Sequence, residues 1–211
     1  MNLYLTMMNV RRIKACAQVF TTIIVYLLLC GCIRPTTYID PTLPPASATD
    51  VRPAKHPTAV QLLVEFRAND LPKVSATTMV LPKIQDIARQ SGLFSKVDTT
   101  PVEGGRRLVV IINDYAGPKT GSGAATGFTF GLVGTEVTDK YHCEVHYDAP
   151  GHAPISLAYE HALITTIGNA SGPEGLTPYS IGMAFDIMLR QISWSIMRDL
   201  AAHNATEGGD L

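Results

Sequence analysis

The sequence predicts an α+β fold, a two-layer sandwich in which two helices cover one face of a mainly antiparallel sheet. Two segments carry apolar residues at the three-to-four-residue spacing that is typical of amphipathic helices. Five further segments are rich in apolar and β-branched residues, as strands are. Their order is β-α-β-β-β-β-α, and the two longest strands are joined by a short turn, which favours antiparallel pairing.

The composition limits the function classes. Of the 211 residues, 17% are charged and 46% are hydrophobic, which is too apolar for general disorder and enough for one domain with appendages. Residues 1–31 contain three basic residues and no acidic one, so the rest of the chain has a formal net charge of −4. This charge argues against nucleic acid as the main partner, because phosphate binding needs clustered cations.

The first segment, residues 1–31, is a predicted signal peptide. Arg11, Arg12 and Lys14 give it a positive start, and an apolar run at 15–29 follows. That run has the length of a secretory hydrophobic region and is shorter than the roughly 20 residues of a membrane-spanning helix.

The apolar run ends in Leu29-Cys30-Gly31-Cys32. These residues resemble the bacterial lipobox, in which an aliphatic residue, a tolerated residue and a small residue precede the lipidated cysteine. The resemblance implies that Cys32 becomes an acylated amino terminus, which anchors the protein to a membrane without spanning it. Ile33 stands where Asp would signal inner-membrane retention in diderm lipoproteins, so the resemblance implies the outer membrane. An ordinary cleaved signal and an uncleaved anchor are the alternatives.

Residues 32–57 are predicted to be a lipidated, proline-rich tether. Six of the fourteen prolines lie between residues 33 and 57, separated mainly by small polar residues. Such a segment is extended and semi-rigid, at roughly 3.1 Å per residue. It would hold the domain away from the membrane.

Residues 58–203 are predicted to form one domain, followed by a disordered tail at 204–211. Its first half is expected to contain a strand at 58–66, a helix at 75–90, a short strand at 94–99 and a strand at 107–115. Gly92 is placed to end the helix. The apolar face of that helix consists of Val80, Ile84, Ile87 and Ala88.

The second half of the domain is predicted to be a hairpin and a helix. Strands are expected at 135–147 and 155–167, with Pro150-Gly151 as the turn signal between them. The last helix is expected at 178–202, because Thr177 can cap it and proline is favoured at the first helical position. Its core stripe consists of Ile181, Phe185, Met188, Ile192, Ile196 and Leu200.

This element order, with Gly92-Leu93-Phe94 closing a helix before a strand, is similar to small α/β domains of envelope lipoproteins. Examples are lipopolysaccharide-assembly lipoproteins, curli-secretion lipoproteins and the amino-terminal domain of the Tol translocation protein. The similarity covers about residues 59–202. It implies a binding function within an envelope complex.

Residues 121–135 form a glycine-rich, nearly uncharged segment. Gly123, Gly127 and Gly131 are four residues apart, with Phe128 and Phe130 between them. A loop folded over the sheet edge is one interpretation, and an element that contacts a membrane or a partner is another. Similarity to curli-secretion lipoproteins implies that such an element could build an oligomeric pore. A phosphate-binding loop is disfavoured because no Gly-Lys-Ser/Thr follows.

A polar cluster, His142, Glu144 and His146, is predicted to share one face of a strand. The neighbouring strand could place His161 opposite His142, and Glu160 or His161 would be needed to complete a zinc site. A solvated polar face is the simpler interpretation, and neither a metal nor a cofactor is expected.

The last helix has more apolar residues than one packing face needs. Trp194 lies about 200° around the helix from Ile192 and Ile196, so it is predicted to point away from the sheet. The surplus indicates a second contact, with a protein partner or a second copy of the chain. Cover by the glycine-rich segment is the alternative.

These patterns predict a periplasm-facing lipoprotein, anchored to the outer membrane, that binds or scaffolds in an envelope assembly, transport or secretion complex. It would not be an enzyme, since no hydrolase motif is present. Cys32 would be the anchor, and the glycine-rich segment and Trp194 would be contact sites. The alternatives are a pore or secretion-channel subunit that uses residues 121–135, and a metal-binding periplasmic enzyme that uses the His142 face.

Overall fold

The computed structural model describes residues 35–116, 135–168 and 170–207. In these ranges the chain forms seven strands and two long helices, with a short 3-10 turn at Ala48–Asp50. The elements are β1 (Thr36–Ile39), β2 (Thr58–Ala68), β3 (Leu71–Pro72), α1 (Val74–Gln90), β4 (Phe94–Asp98), β5 (Arg107–Ala116), β6 (Thr135–Asp148), β7 (Ile155–Ile167) and α2 (Ile181–Glu207). Neither helix has the length and apolarity that crossing a membrane requires, within the ranges just given.

The strands form one sheet in the order β1-β7-β6-β5-β2-β3, and β4 also pairs with β2. Strand β2 runs parallel to β4 and to β5, whereas the other pairings are antiparallel. The parallel pairings arise because α1 carries the chain back to the start of β2 before β4 and β5 begin. The predicted fold class, an α+β sandwich with a mainly antiparallel sheet, is confirmed.

The core lies between one face of the sheet and the two helices. On β5, Leu108, Val110 and Ile112 are fully buried, and the side chains between them lie on the other face. Ile84 of α1 and Ile192 of α2 are fully buried in the same hydrophobic cluster. The period of two along the strands and of three to four along the helices therefore brings the apolar residues to one interface.

Helix α1 ends before Gly92, as the sequence predicts. Gly92 has a φ of 71°, which side-chain-bearing residues rarely adopt. A Cβ atom at this position would lie 3.1 Å from the Cβ atom of Pro53. Both the backbone conformation and the close approach of the earlier segment therefore require glycine here.

The segment expected to be a tether is largely part of the domain. Strand β1 pairs with β7 at the sheet edge, and the backbones of Thr37 and Tyr179 exchange two hydrogen bonds, each 2.9 Å long. Ala46 and Val51 are buried in the core cluster. The tether interpretation is therefore wrong for residues 36–53, and the compact unit begins at Pro35. The tether was predicted because prolines are frequent in this segment. Prolines are also compatible with the flanks of a short edge strand.

Candidate functional site

The predicted lipidation site and most of the predicted contact residues lie outside the described ranges. They are Cys32, Gly123, Gly127, Phe128, Phe130 and Gly131. The structure shows where the chain enters and leaves the glycine-rich region: β5 ends at Ala116, and β6 begins at Thr135. The remaining candidates, Trp194 and the His142 cluster, are described.

Trp194 is not on the protein surface. Its side chain is only 5% exposed, and it belongs to the same buried cluster as Ala46 and Val51. Residues 192–197 of α2 are buried without interruption, so this part of the helix is enclosed on all sides. The prediction that Trp194 contacts a partner is therefore wrong. Leu189, Trp194 and Met197 of the surplus are buried in the cluster that contains Ala46 and Val51, whereas Met183 stays exposed.

A cavity of about 530 Å³ lies between α1, α2 and the 3-10 turn. Ile87, Leu189 and Trp194 contribute to its apolar wall. Lys83 and Asp186 form an ion pair across its rim. Charges of both signs line the rim, so the cavity does not select a ligand of one charge.

The outer face of the sheet carries the predicted polar cluster. Tyr141, Cys143, Val145 and Tyr147 of β6 are buried toward the helices, while His142, Glu144 and His146 alternate with them and face outward. This confirms the predicted division of the strand into two faces. Burial strongly raises the pKa of the Cys143 thiol, so this cysteine is an apolar core residue and not a nucleophile.

His142 is held between two carboxylates. Its Nδ1 atom lies 2.5 Å from Oε1 of Glu160, and its Nε2 atom lies 3.3 Å from Oε1 of Glu144. The hydrogen bond to Glu160, together with the charges of both glutamates, raises the pKa of His142. His146 is engaged elsewhere, with its Nδ1 atom 3.1 Å from Oγ of Ser156. The arrangement is an ion-pair cluster, and no group of three or more metal-binding side chains converges within the described residues.

His161 does not join this cluster. The strand register places Glu160 opposite His142, and His161 opposite Tyr141 on the buried face. There Nε2 of His161 lies 2.9 Å from Oε1 of Gln191 on α2. The expectation that His161 faces His142 is wrong by one residue, and in a strand a one-residue shift moves a side chain to the opposite face.

An apolar strip crosses the outer face beside the polar cluster. Leu63 of β2 pairs in register with Val109 of β5, and Ile111 pairs with Glu144. Leu63 is 37% exposed, and the other two apolar side chains are half-buried. We call this surface the open face; its residues are Leu63, Val109, Ile111, His142, Glu144, Ala158 and Glu160.

Ion pairs lie along the edge of the open face. Nε of Arg67 is 2.8 Å from Oε1 of Glu65, and Nη2 of Arg107 is 2.9 Å from Oδ2 of Asp148. All four side chains are roughly one-third to one-half exposed, so each pair contributes little to stability. The combination of an apolar centre and a polar rim is typical of protein contact surfaces.

The sequence contains a signal for the open face in strands β2 and β5. The runs Leu62-Leu63-Val64 and Val109-Val110-Ile111 are continuously apolar instead of alternating. Continuous apolar runs are typical of strands that are covered on both faces, as in parallel pairings. Strands β2 and β5 are such a parallel pair, and their outward residues form the strip.

Two carboxyl groups lie near the point where β5 and β6 meet the glycine-rich region. Burial and the neighbouring Asp139 raise the pKa of Asp114 to about 6, and burial also raises the pKa of Asp139. A raised carboxyl pKa means that the folded state binds protons more tightly than the unfolded state. The protonated Asp114 side chain therefore contributes its full stabilisation of the folded state below the ordinary carboxyl pKa of 3.8. This stabilisation is lost as the pH rises through about 6.

Comparison with known proteins shows similarity in structure alone. No protein-family model and no curated protein sequence matches the chain. A solved structure of rare lipoprotein B from Shewanella oneidensis is 14% identical, with a TM-score of 0.42 over 72% of this chain and 99% of that one. A neuraminyllactose-binding hemagglutinin homologue from Helicobacter pylori is 10% identical, with a TM-score of 0.41 over 71% of this chain and 88% of that one.

A PelC dodecamer from Paraburkholderia phytofirmans is more distant still. It is 12% identical, and the TM-score is 0.25 over 79% of this chain and 95% of that one. At these identities and TM-scores the similarities carry no argument about what this chain does.

Proposed function

We propose that this chain is a lipoprotein anchored to the periplasmic leaflet of an outer membrane, and that it acts as a binding or scaffold component of an envelope complex. The observation that carries the proposal is the Leu29-Cys30-Gly31-Cys32 junction between the apolar run and the folded domain. Acyl chains on Cys32 would hold the protein at the membrane, since each buried methylene contributes about 0.8 kcal/mol. Enzymatic activity plays no part in the proposal.

The open face is the surface that we propose for partner binding. Its apolar strip, Leu63, Val109 and Ile111, is bordered by charged side chains on both sides. Burial of that strip against a partner would stabilise the complex, while the charges around His142 would restrict which partners fit. We propose the open face as the partner-binding surface instead of Trp194, because Trp194 is buried.

Replacement of Cys32 by Ser is expected to abolish acylation and to leave the precursor unprocessed. The hydroxyl cannot take the place of the thiol that receives the first acyl group. Incorporation of radiolabelled palmitate and the electrophoretic shift between precursor and mature protein measure the two effects. Cys30→Ser is the matched control, because it should be labelled and processed like the parent chain. Labelled Cys32→Ser protein together with unlabelled Cys30→Ser protein would contradict the proposed anchor.

Photo-crosslinking tests the partner surface. A photoreactive amino acid at Val109 or at Ala158, both on the open face, is expected to crosslink the chain to the same envelope protein in intact cells. The exposed position Ala202 on α2 is the control and should give no such product. Crosslinks that form from Ala202, or from the open face only within the same chain, would oppose the binding proposal.

A further inference from the structure

Exposed apolar side chains are concentrated at one end of the domain. Six of the seven large apolar side chains that are exposed in the described ranges lie there; they are Leu71, Val74, Met79, Tyr115, Ile181 and Met183. The most exposed is Val74 at 79%, followed by Met79 and Leu71 at 63% each. The seventh, Leu63, lies in the middle of β2.

Several contacts show that these side chains belong to the same end. The backbone N–H of Lys73, just before α1, donates to the carbonyl of Phe66 near the end of β2. The ring of Phe66 packs edge-on against Phe185 in the first turns of α2, with ring centroids 6.1 Å apart. Lys83 of α1 pairs with Asp186 in the second turn of α2, so the two helices are in contact near this end. We call this surface the helix-start end.

The amino-terminal strand enters the domain at the helix-start end. Thr36, the first residue of β1, pairs with Thr166 near the end of β7, and Thr37 is bonded to Tyr179 just before α2. Only four residue steps separate Cys32 from Thr36. A fully extended chain spans at most ~3.6 Å per residue, so these steps reach about 14 Å.

We propose that the helix-start end rests on the surface of the phospholipid bilayer, with Val74, Met79 and Met183 in its interfacial region. The proposal depends on the acylation of Cys32 proposed above. An acylated Cys32 would lie at the bilayer, and about 14 Å of chain would keep Thr36, which lies at this end, close to the bilayer surface. Apolar side chains that are exposed to water at that distance gain by entering the interface.

The chemistry of this end is compatible with a headgroup layer. Neither helix carries an acidic residue in its first turn, so both present the positive ends of their dipoles. Two acidic residues also lie at this end: Glu136, because β6 begins there, and the exposed Asp70, which accepts a hydrogen bond from the Tyr115 hydroxyl. The contact therefore depends on apolar insertion and not on a net charge attraction.

The test places an environment-sensitive dye at single cysteines in the full acylated protein. The protein is inserted into vesicles of phosphatidylethanolamine and phosphatidylglycerol, with or without nitroxide-labelled lipid. Met79→Cys and Met183→Cys report on the helix-start end, and Ser95→Cys and His152→Cys report on the opposite end. All four positions are exposed, so the substitutions leave the core unchanged. Cys143 does not compete for the dye because it is fully buried.

We expect blue-shifted emission and quenching by the nitroxide lipid at positions 79 and 183, and neither effect at 95 and 152. Flotation of the vesicles distinguishes the proposal that Cys32 is acylated from the proposal that the helix-start end rests on the bilayer. If the protein does not float with the vesicles, the acyl anchor itself is refuted. If it floats but all four dyes report the same aqueous environment, the anchor stands and the docking proposal is overturned. Dyes at 79 and 183 that are shielded from water but not quenched by the lipid would indicate a covering protein surface and would also overturn it.

Discussion

Replacement of Trp194 by Asp is expected to unfold the domain. Trp194 is 5% exposed, and its neighbour in the helix, Met197, is fully buried. Truncation of a buried aromatic side chain alone typically costs about 3–5 kcal/mol, and an unpaired carboxylate in its place adds the cost of desolvation. Total stabilities of domains are typically about 5–15 kcal/mol, so most or all of the stability is lost.

Urea denaturation and thermal melting of the lipid-free mature chain measure this effect. Met183→Asp on the same helix is the matched control: Met183 is 57% exposed, so the change should stay within about 0.5 kcal/mol. A Trp194→Asp protein that melts like the parent but loses an association would restore the interface interpretation. The lipid-free chain is used for this comparison because Met183 is one of the side chains proposed to contact lipid.

Removal of residues 33–57 is expected to produce the second largest loss of stability. The deletion removes β1 from the edge of β7 and exposes the part of α2 that Ala46 and Val51 help to enclose. Full burial of one large aliphatic side chain contributes about 1.5–3 kcal/mol, so the loss of several such contacts should exceed about 3 kcal/mol.

The urea midpoint is measured for this deletion and for a shorter control deletion. A chain that lacks only residues 33–35 keeps β1 and should have the midpoint of the parent. Tryptophan fluorescence gives a second readout, because Trp194 is the only tryptophan in the chain. Its emission should shift to the red in the longer deletion. Equal midpoints for both deletions would mean that the segment is a tether, as the sequence alone predicts.

The elements that local patterns specify were predictable from the sequence. Strands β2, β5, β6 and β7 and helix α1 lie within two residues of the predicted bounds, because their periodicity extends over many residues. Helix α2 begins three residues later than predicted and continues to Glu207, so the prediction of a disordered tail is wrong for residues 204–207. Strand β3 was missed because it has only two residues, Leu71–Pro72, after a turn at Asn69 and Asp70 with positive φ angles. Strand β1 was missed because prolines surround its four residues.

The candidate site was harder to predict because it depends on which segments meet. The helical geometry placed Trp194 away from the core stripe, and no local pattern showed that residues 46–51 fold back over it. The position of His161 depended on a register that only the length of the hairpin turn fixes. The open face is a property of neighbouring strands, and its residues are distributed over four segments of the chain.

The pairing of β1 with the sheet edge also determines how the domain would bear mechanical load. If the membrane anchor and a bound partner pull in opposite directions, the tension enters the domain at Thr36 and runs along the axis of β1. The hydrogen bonds to β7 and the two bonds between Thr37 and Tyr179 then resist together, in shear, instead of opening one after another. The domain would thus behave as a rigid link between the membrane and its partner, and the first structural element to yield under tension would be the edge strand.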